Sequence, residues 1–288
     1  MATTQPTPRP DRELRVLRRA TRPLSALEGF ADQMQFWGQS LRGMPRALKW
    51  WRSVILPEIS DLVVGAGGII VGGGLLFVIG ALAFFTGTQV GLEGVAGLEQ
   101  IGAQAYVGLI SSWANVREIT PLIAGVALAA KVGAGFTAQL GAMRISEEID
   151  AAEVIGIAPI PYLVSTRMWA ALIPIIPLYL LSLFSAFLAT RLIVTGFFTV
   201  SAGAYDTRLA LFLPAIDVLY SVIKAVVFTF VVILIHTYYG FYATGGPAGV
   251  GVAVGRAIRA SITAVVVLNM IMSLLFWGLG GETIKIAG

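Results

Sequence analysis

Residues 117–167 read REITPLIAGVALAAKVGAGFTAQLGAMRISEEIDAAEVIGIAPIPYLVSTR. The stretch begins with an apolar, Gly- and Ala-rich run, about 119–141, long enough to cross a bilayer, which takes about 20 residues. It then places four acids within seven positions, Glu147, Glu148, Asp150 and Glu153. Two prolines follow, Pro159 and Pro161, and a second apolar run begins. Carboxylates avoid hydrocarbon, so the two runs read as neighbouring membrane helices joined by a polar element in water.

The rest of the composition agrees. Of 288 residues, 57% are hydrophobic and 12% charged, with a mean hydropathy of +0.82. A soluble domain carries about 25% charged residues, so this chain lacks the polar surface to dissolve alone. The net charge of +4 invites a nucleic-acid reading. The placement of the charge argues against it. Ten of the 20 Lys and Arg precede residue 53, beside the first apolar run, a pattern that suits an anionic membrane surface. With no cysteine there is no disulfide, thiolate metal site or cysteine nucleophile. The first sixty residues show no short apolar core with a cleavage site, and Arg18-Arg19 is not followed by one, so the N-terminus is expected in the cytoplasm.

Segment by segment, residues 1–23 are Pro- and Arg-rich and expected to be disordered. Residues 24–56 set Trp37, Trp50 and Trp51 among Arg and Lys, as in an amphipathic helix at the membrane interface; a helix packed on a partner is the alternative. Residues 57–288 form the membrane domain. Five spans are predicted, at about 62–85, 119–141, 162–195, 214–243 and 260–279, with a less hydrophobic helix at 100–117 leading into the second. Pro174 and Pro177 predict kinking of the third. Arg144, Arg167, Arg256 and Arg259 fall on the same side as the ten N-terminal basic residues, which makes that side cytoplasmic. Arg117, Arg191, Arg208 and Lys285 fall opposite. The fold class is thus an all-α integral membrane protein: an interfacial helix, five transmembrane helices, and a cytoplasmic helix between the second and third.

That cytoplasmic helix has start and stop signals. Ser146 reads as its N-cap, with Glu147 and Glu148 in the first turn, and Pro159 and Pro161 end it after about ten residues. Ile145, Ile149, Ala152 and Gly156 share one side; Glu147, Asp150 and Glu153 share another. Two faces on a short rigid element suit docking, against the plainer reading of a solvated loop.

No nucleotide site is present in the sequence, since no Gly-x4-Gly-Lys-Ser/Thr run occurs. GPAGVGVAVG at 246–255 has the wrong spacing for a dinucleotide fingerprint and reads as a tight cytoplasmic turn with Arg256 and Arg259 at the interface. His236 is the sole histidine and reads as packed or interfacial rather than as a metal ligand. Within the spans stand Lys131, Asp217 and Lys224. Asp217 and Lys224 share a face but lie about 10 Å apart along the axis, too far to pair directly. Gly65, Gly68, Gly72 and Gly73 permit close helix approach, either between two chains or within one.

Residues 117–167 resemble the signature region of the MlaE/YrbE family of ABC-transporter permeases: Arg-Glu-x-x-Pro, a Gly/Ala-rich span, Leu-Gly-x-Met-Arg, Glu-x-Ile-Asp-Ala, then Gly-x-x-Pro. The resemblance extends over about 25–280, including GGPAGVGVAVGRAIRASITAVVVLN at 245–269, and is greatest to the actinobacterial YrbE branch associated with Mce proteins. It implies a non-catalytic permease subunit of a lipid importer (fatty acid, mycolic acid or sterol) in the inner membrane. The implied partners are a paralogous YrbE-type permease, a cytoplasmic ABC ATPase that holds ATP and Mg, and Mce substrate-binding proteins; this chain would bind no cofactor and no nucleic acid. It also implies that the acidic helix is a coupling helix, with Arg144, Glu147, Glu148, Asp150 and Glu153 contacting the ATPase, and that Glu118, Lys224 and Asn269 line the substrate path. The family often carries Asp where Asn269 stands, so the acid facing Lys224 is expected from the partner subunit. The rival reading is an ion-coupled secondary transporter using Asp217, Lys224 and Lys131 as a proton relay, against which stand the odd number of spans and the absence of a visible inverted repeat.

Overall fold

The computed structural model describes residues 12–65 and 74–278. Among these the chain is helical, with no strand. Helix α1 covers Arg12–Trp50 and α2 Arg52–Val63, followed by α3 at Leu75–Glu99. A continuous helix then runs from Gln104 to Ile145. It consists of α4 (Val107–Trp113), α5 (Thr120–Leu128) and α6 (Ala134–Ile145), joined through widened π turns at Ala114–Ile119 and Ala129–Gly133. The short α7 is Glu148–Val154. Helix α8 (Thr166–Leu192) is entered through a π turn at Ile160–Ser165 and left through another at Ile193–Phe197. Then come α9 (Ala202–Leu211), α10 (Ala215–Phe241) and α11 (Gly246–Ser273), the last ending in a π turn at Leu274–Gly278.

Five helical stretches are long and apolar enough to cross a membrane: 75–99, 104–145, 160–197, 215–241 and 246–278. The predicted number holds, but the first, second and last crossings have other bounds; the second is continuous with the helix expected to lead into it, from Gln104 to Ile145. The first crossing starts at Leu75 and extends to Glu99, not over 62–85. The apolar run is interrupted by Gly65 at φ 85° and by extended Gly74, where a Cβ would lie 1.9 Å from the Val63 carbonyl oxygen. The helix instead continues through Thr86 and Thr88, whose hydroxyls donate back to the carbonyls of Leu82 and Phe84, so their polarity is met inside the helix. The last crossing starts at Gly246 rather than near 260. Gly245 and Gly246, both at positive φ, make the turn, and Pro in the first turn sets helical φ at once. The glycine-rich 246–255 is therefore helix, not a loop. Pro174 and Pro177 both lie inside a continuous α8.

Helix α10 is central, packed against α11, α6, α8 and α5. Its buried Phe228, Val232 and Ile233 join Leu128, Phe136, Leu140 and Met168 in the main core. The α3–α8 seam is built on small residues. Ala83, Gly87 and Gly91 recur every four positions and are buried. A Cβ on Gly87 would sit 2.2 Å from the Ala186 carbonyl oxygen, and Thr190 Oγ1 donates to the Gly87 carbonyl at 2.7 Å. Such approach is the recurrent way membrane helices associate without a hydrophobic drive. The glycines expected to make a seam differ from these: Gly65 lies in a turn, and Gly68, Gly72 and Gly73 fall outside the described residues.

Helix α1 starts at Arg12, ahead of the expected boundary at residue 24. It docks on its own bundle. Phe36, Ser40 and Ala47 are buried on one face, and Phe36 meets Tyr238, Phe241 and Tyr242. Ser165 Oγ donates to the Ser40 carbonyl and Trp169 Nε1 to the Met44 carbonyl. Leu41, Leu48 and Trp50 remain exposed on the other side.

Candidate functional site

Charged side chains converge where α5, α10 and α11 meet. Lys224 of α10 is fully buried, at 0% exposure. Its Nζ donates to Ser273 Oγ at 2.8 Å and to the backbone carbonyl of Arg117, and lies 3.9 Å from Glu118 Oε2. The Arg117 carbonyl is open for a chain reason. In an α-helix it would accept from residue 121, which is Pro121 and has no N–H. Glu118 in turn accepts from Asn269 Nδ2 at 2.6 Å and from Ser273 Oγ at 2.5 Å. All three predicted path residues, Glu118, Lys224 and Asn269, are thus brought together.

The neighbouring Arg117 makes a second pair. Its guanidinium meets Asp217 Oδ2 at 2.8–3.0 Å, and Trp277 Nε1 donates to Asp217 Oδ1 at 2.9 Å. Arg117 and Lys224 both lie over the Trp277 ring, at 5.1 and 5.4 Å. Adjacent residues of opposite charge, Arg117 and Glu118, therefore face Asp217 and Lys224, two helical turns apart. As expected, Asp217 and Lys224 do not pair with each other. The acid facing Lys224 comes from Glu118 of the same chain, so no partner acid is needed there. Sequence reasoning missed Arg117, Ser273 and Trp277 as members. The signal available was the fourfold spacing Asn269–Ser273–Trp277 on one face of the last helix. Asn269 Oδ1 is buried and accepts no hydrogen bond among the described residues.

The proton relay imagined for a secondary transporter is not assembled. Lys131 lies in the second π turn, fourteen residues and about 21 Å along the helix from Arg117. His236 is buried in the core, with Thr137 Oγ1 at 2.8 Å from Nδ1 and Ser261 Oγ at 3.0 Å from Nε2. The ring fits because Gly133 faces it; a Cβ there would be 2.4 Å away. This is a packed histidine, as the sequence indicated.

At the other end of the long helix, 28 residues and about 42 Å from Arg117, α6 turns into α7 within two residues. Ser146 is not the N-cap. It closes α6, its hydroxyl bonding the Ala142 carbonyl and Glu148 Oε1, and Glu147 occupies the N-cap at φ 60°. Helix α7 is seven residues long, not ten. It ends before the prolines, at Gly156 with φ 83°, where Gly156 N–H bonds the Glu153 carbonyl and Ile157 N–H bonds that of Ala152. This is the Schellman closure.

The faces of α7 are also redistributed. Ile149 is not a free ridge: it is buried in the main core and pins the helix to the bundle. Arg144 is tied to Asp150 at 2.5 Å, a second tether between α6 and α7. The surface left over carries Glu147, Glu148 and Glu153 around two bare apolar side chains, Val154 and Ile155, 87% and 73% exposed. Those two were not singled out from sequence.

Comparison with known proteins gives this arrangement a family. The family described as Permease MlaE matches residues 68–275. A probable ABC transporter permease protein of Rickettsia prowazekii is 31% identical over 193 residues, 67% of this chain and 74% of that one. A probable ABC transporter permease protein of Synechocystis is 31% identical over 180 residues, 62% of this chain and 68% of that one. The intermembrane phospholipid transport system permease protein MlaE of Haemophilus influenzae is 24% identical over 197 residues, 68% and 76% of the two chains. With its five apolar crossings and a family match over most of its length, the chain is a multi-pass membrane protein that belongs to the MlaE family of ABC permeases.

Proposed function

We propose that this chain is the permease subunit of an inner-membrane ABC lipid importer, in which a separate cytoplasmic ATPase drives the movement and Mce proteins deliver the lipid. A second, paralogous YrbE-type permease completes the pore. The observation that carries the reading is α7: an element tethered to the bundle by Ile149 and Arg144 that exposes Val154 and Ile155 on a surface also carrying Glu147, Glu148 and Glu153. Apolar side chains beside charged ones are what a partner groove needs for packing and register. The side of the membrane follows from charge. By sequence, Arg144, Arg167, Arg256 and Arg259 fall on the same side of the crossings as the N-terminal basic residues, which supports a cytoplasmic N-terminus and α7. Glu147, Glu148 and Glu153 then face the ATPase directly, while Arg144 and Asp150 act by holding α7 in place.

At the opposite end, Glu118, Lys224 and Asn269 form the polar wall of the substrate path, with Arg117, Asp217, Ser273 and Trp277 supporting it. Polar groups this costly to hold among apolar helices suit contact with a lipid headgroup. The name of the Haemophilus relative supports a lipid as cargo. The test is reconstitution of the permease pair with its ATPase in liposomes and measurement of ATP-dependent transfer of a fluorescent fatty acid or phospholipid. Transfer that requires ATP and fails with Glu118→Ala or Lys224→Met supports the reading; hydrolysis without any lipid dependence would sink it.

A further inference from the structure

A groove of about 350 Å³ lies between α1 and the chain that leaves α7. Gln39, Arg42 and Arg46 line it from α1, and residues 158–161 line it from the other side. Ala158 comes only three positions after Ile155, the bare apolar residue at the end of α7. The groove therefore continues the α7 surface.

Its two walls are fixed to each other. Gly43 lies between the two arginines in sequence and is buried. A Cβ there would lie 2.6 Å from Ser165 Oγ and 3.2 Å from Pro161 Cα. Ser165 and Trp169 donate to the Ser40 and Met44 carbonyls on either side of it. A groove held this way has its shape before a partner arrives, which lowers the cost of binding.

Three faces divide α1. Phe36, Ser40, Gly43 and Ala47 are buried against the bundle. Met34, Leu41 and Leu48 form an exposed apolar stripe. Arg42 and Arg46 stand about 100° and 140° around the helix from Leu41. With the apolar stripe toward lipid, these arginines turn toward water, as the α7 acids do. They are exposed and one turn apart, and like charges at that spacing repel. Among the described residues neither makes an ion pair or hydrogen bond, and no carboxylate lines the groove. Two guanidinium forks over a floor of Pro159 and Pro161 fit carboxylates flanked by an apolar side chain.

We propose that this groove receives an acidic segment of the cytoplasmic ABC ATPase, with its carboxylates on Arg42 and Arg46 and an apolar side chain against Pro159 and Pro161. The inference rests on the reading of α7 as the ATPase contact and adds a second half of opposite charge. Glu147, Glu148 and Glu153 attract basic residues; the groove attracts acidic ones. A change of sign across one surface fixes the orientation of the partner, which the acids alone do not.

The test uses the full chain in nanodiscs of phosphatidylcholine, a bilayer without net charge, titrated with its purified ATPase. Arg42→Glu/Arg46→Glu should weaken binding by about tenfold or more, the scale of one lost charge-assisted contact. Arg42→Lys/Arg46→Lys keeps the charge but loses the forks, and should fall between that variant and the wild type. Lys49→Glu, exposed on the same helix but outside the groove, should bind as the wild type does. All these positions are exposed, and an unchanged melting temperature confirms folding. Unchanged affinity in Arg42→Glu/Arg46→Glu, or an equal loss in Lys49→Glu, overturns the groove while α7 still binds. Loss of wild-type binding when phosphatidylglycerol is added to the nanodiscs assigns the groove to lipid and also overturns it. A wild-type chain that binds no ATPase defeats the reading of α7 itself, and this inference with it.

Discussion

Lys224 donates to the backbone carbonyl of Arg117, which Pro121 leaves without an α-helical donor. The two residues explain each other: the proline opens an acceptor and the buried lysine fills it. Lys224→Met should cost about 1–3 kcal/mol by stranding buried acceptors. Pro121→Ala restores an N–H to the same carbonyl, so the double variant should lose less than the sum of the two single ones. Thermal unfolding in detergent of all four proteins measures the coupling; strict additivity would show that the proline and the lysine are independent.

The α3–α8 seam predicts a contrast between two glycines. Gly87→Ala pushes a Cβ to 2.2 Å from the Ala186 carbonyl oxygen, whereas Gly97 has nothing within 4 Å. Gly87→Ala should destabilise by about 1–3 kcal/mol through overpacking. Gly97→Ala should be neutral or gain about 0.5–1 kcal/mol from helix propensity. Equal behaviour of the two in a thermal melt would contradict the seam.

Helix α9 is held to α4 by a buried phenol. Tyr205 is enclosed and shares a 2.9 Å hydrogen bond with Ser111; burial, against a partial lowering by that bond, pushes its pKa up to about 12. A raised pKa means stability that is full below the unfolded value of about 10 and is lost as pH rises through the folded one. Docking of α9 should therefore weaken between about pH 10 and 12. Limited proteolysis at 198–214 across that range should show it, and Tyr205→Phe should flatten the dependence.

What could be read from the sequence follows the range of the interaction. The number of crossings and the acid-bearing helix depend on local composition, and both were legible. The first crossing shifted because one apolar run, 62–85, contains two separate breaks, Gly65 and Gly74, and hydropathy alone does not mark either. Glu118, Lys224 and Asn269 were named through family resemblance, while Arg117, Ser273 and Trp277 join them through contacts across 49 to 107 residues of chain. Periodicity on α7 assigned Ile149 to a docking ridge, but a helical wheel cannot say whether the apolar face meets a partner or its own bundle. Burial of Ile149 against the core answers that, and leaves Val154 and Ile155 as the exposed apolar side chains of α7.

The central claim is that α7 connects this chain to an ATPase. Its most direct test is co-purification of the partner ATPase with the tagged permease, comparing the wild-type chain with Val154→Asp/Ile155→Asp and with Glu147→Lys/Glu153→Lys. All these side chains are exposed, so the permease itself should fold and insert as before. Loss of the ATPase and of ATP hydrolysis in both variants, with unchanged permease yield and melting temperature, is the predicted result. Full ATPase recovery and hydrolysis in both would contradict the account.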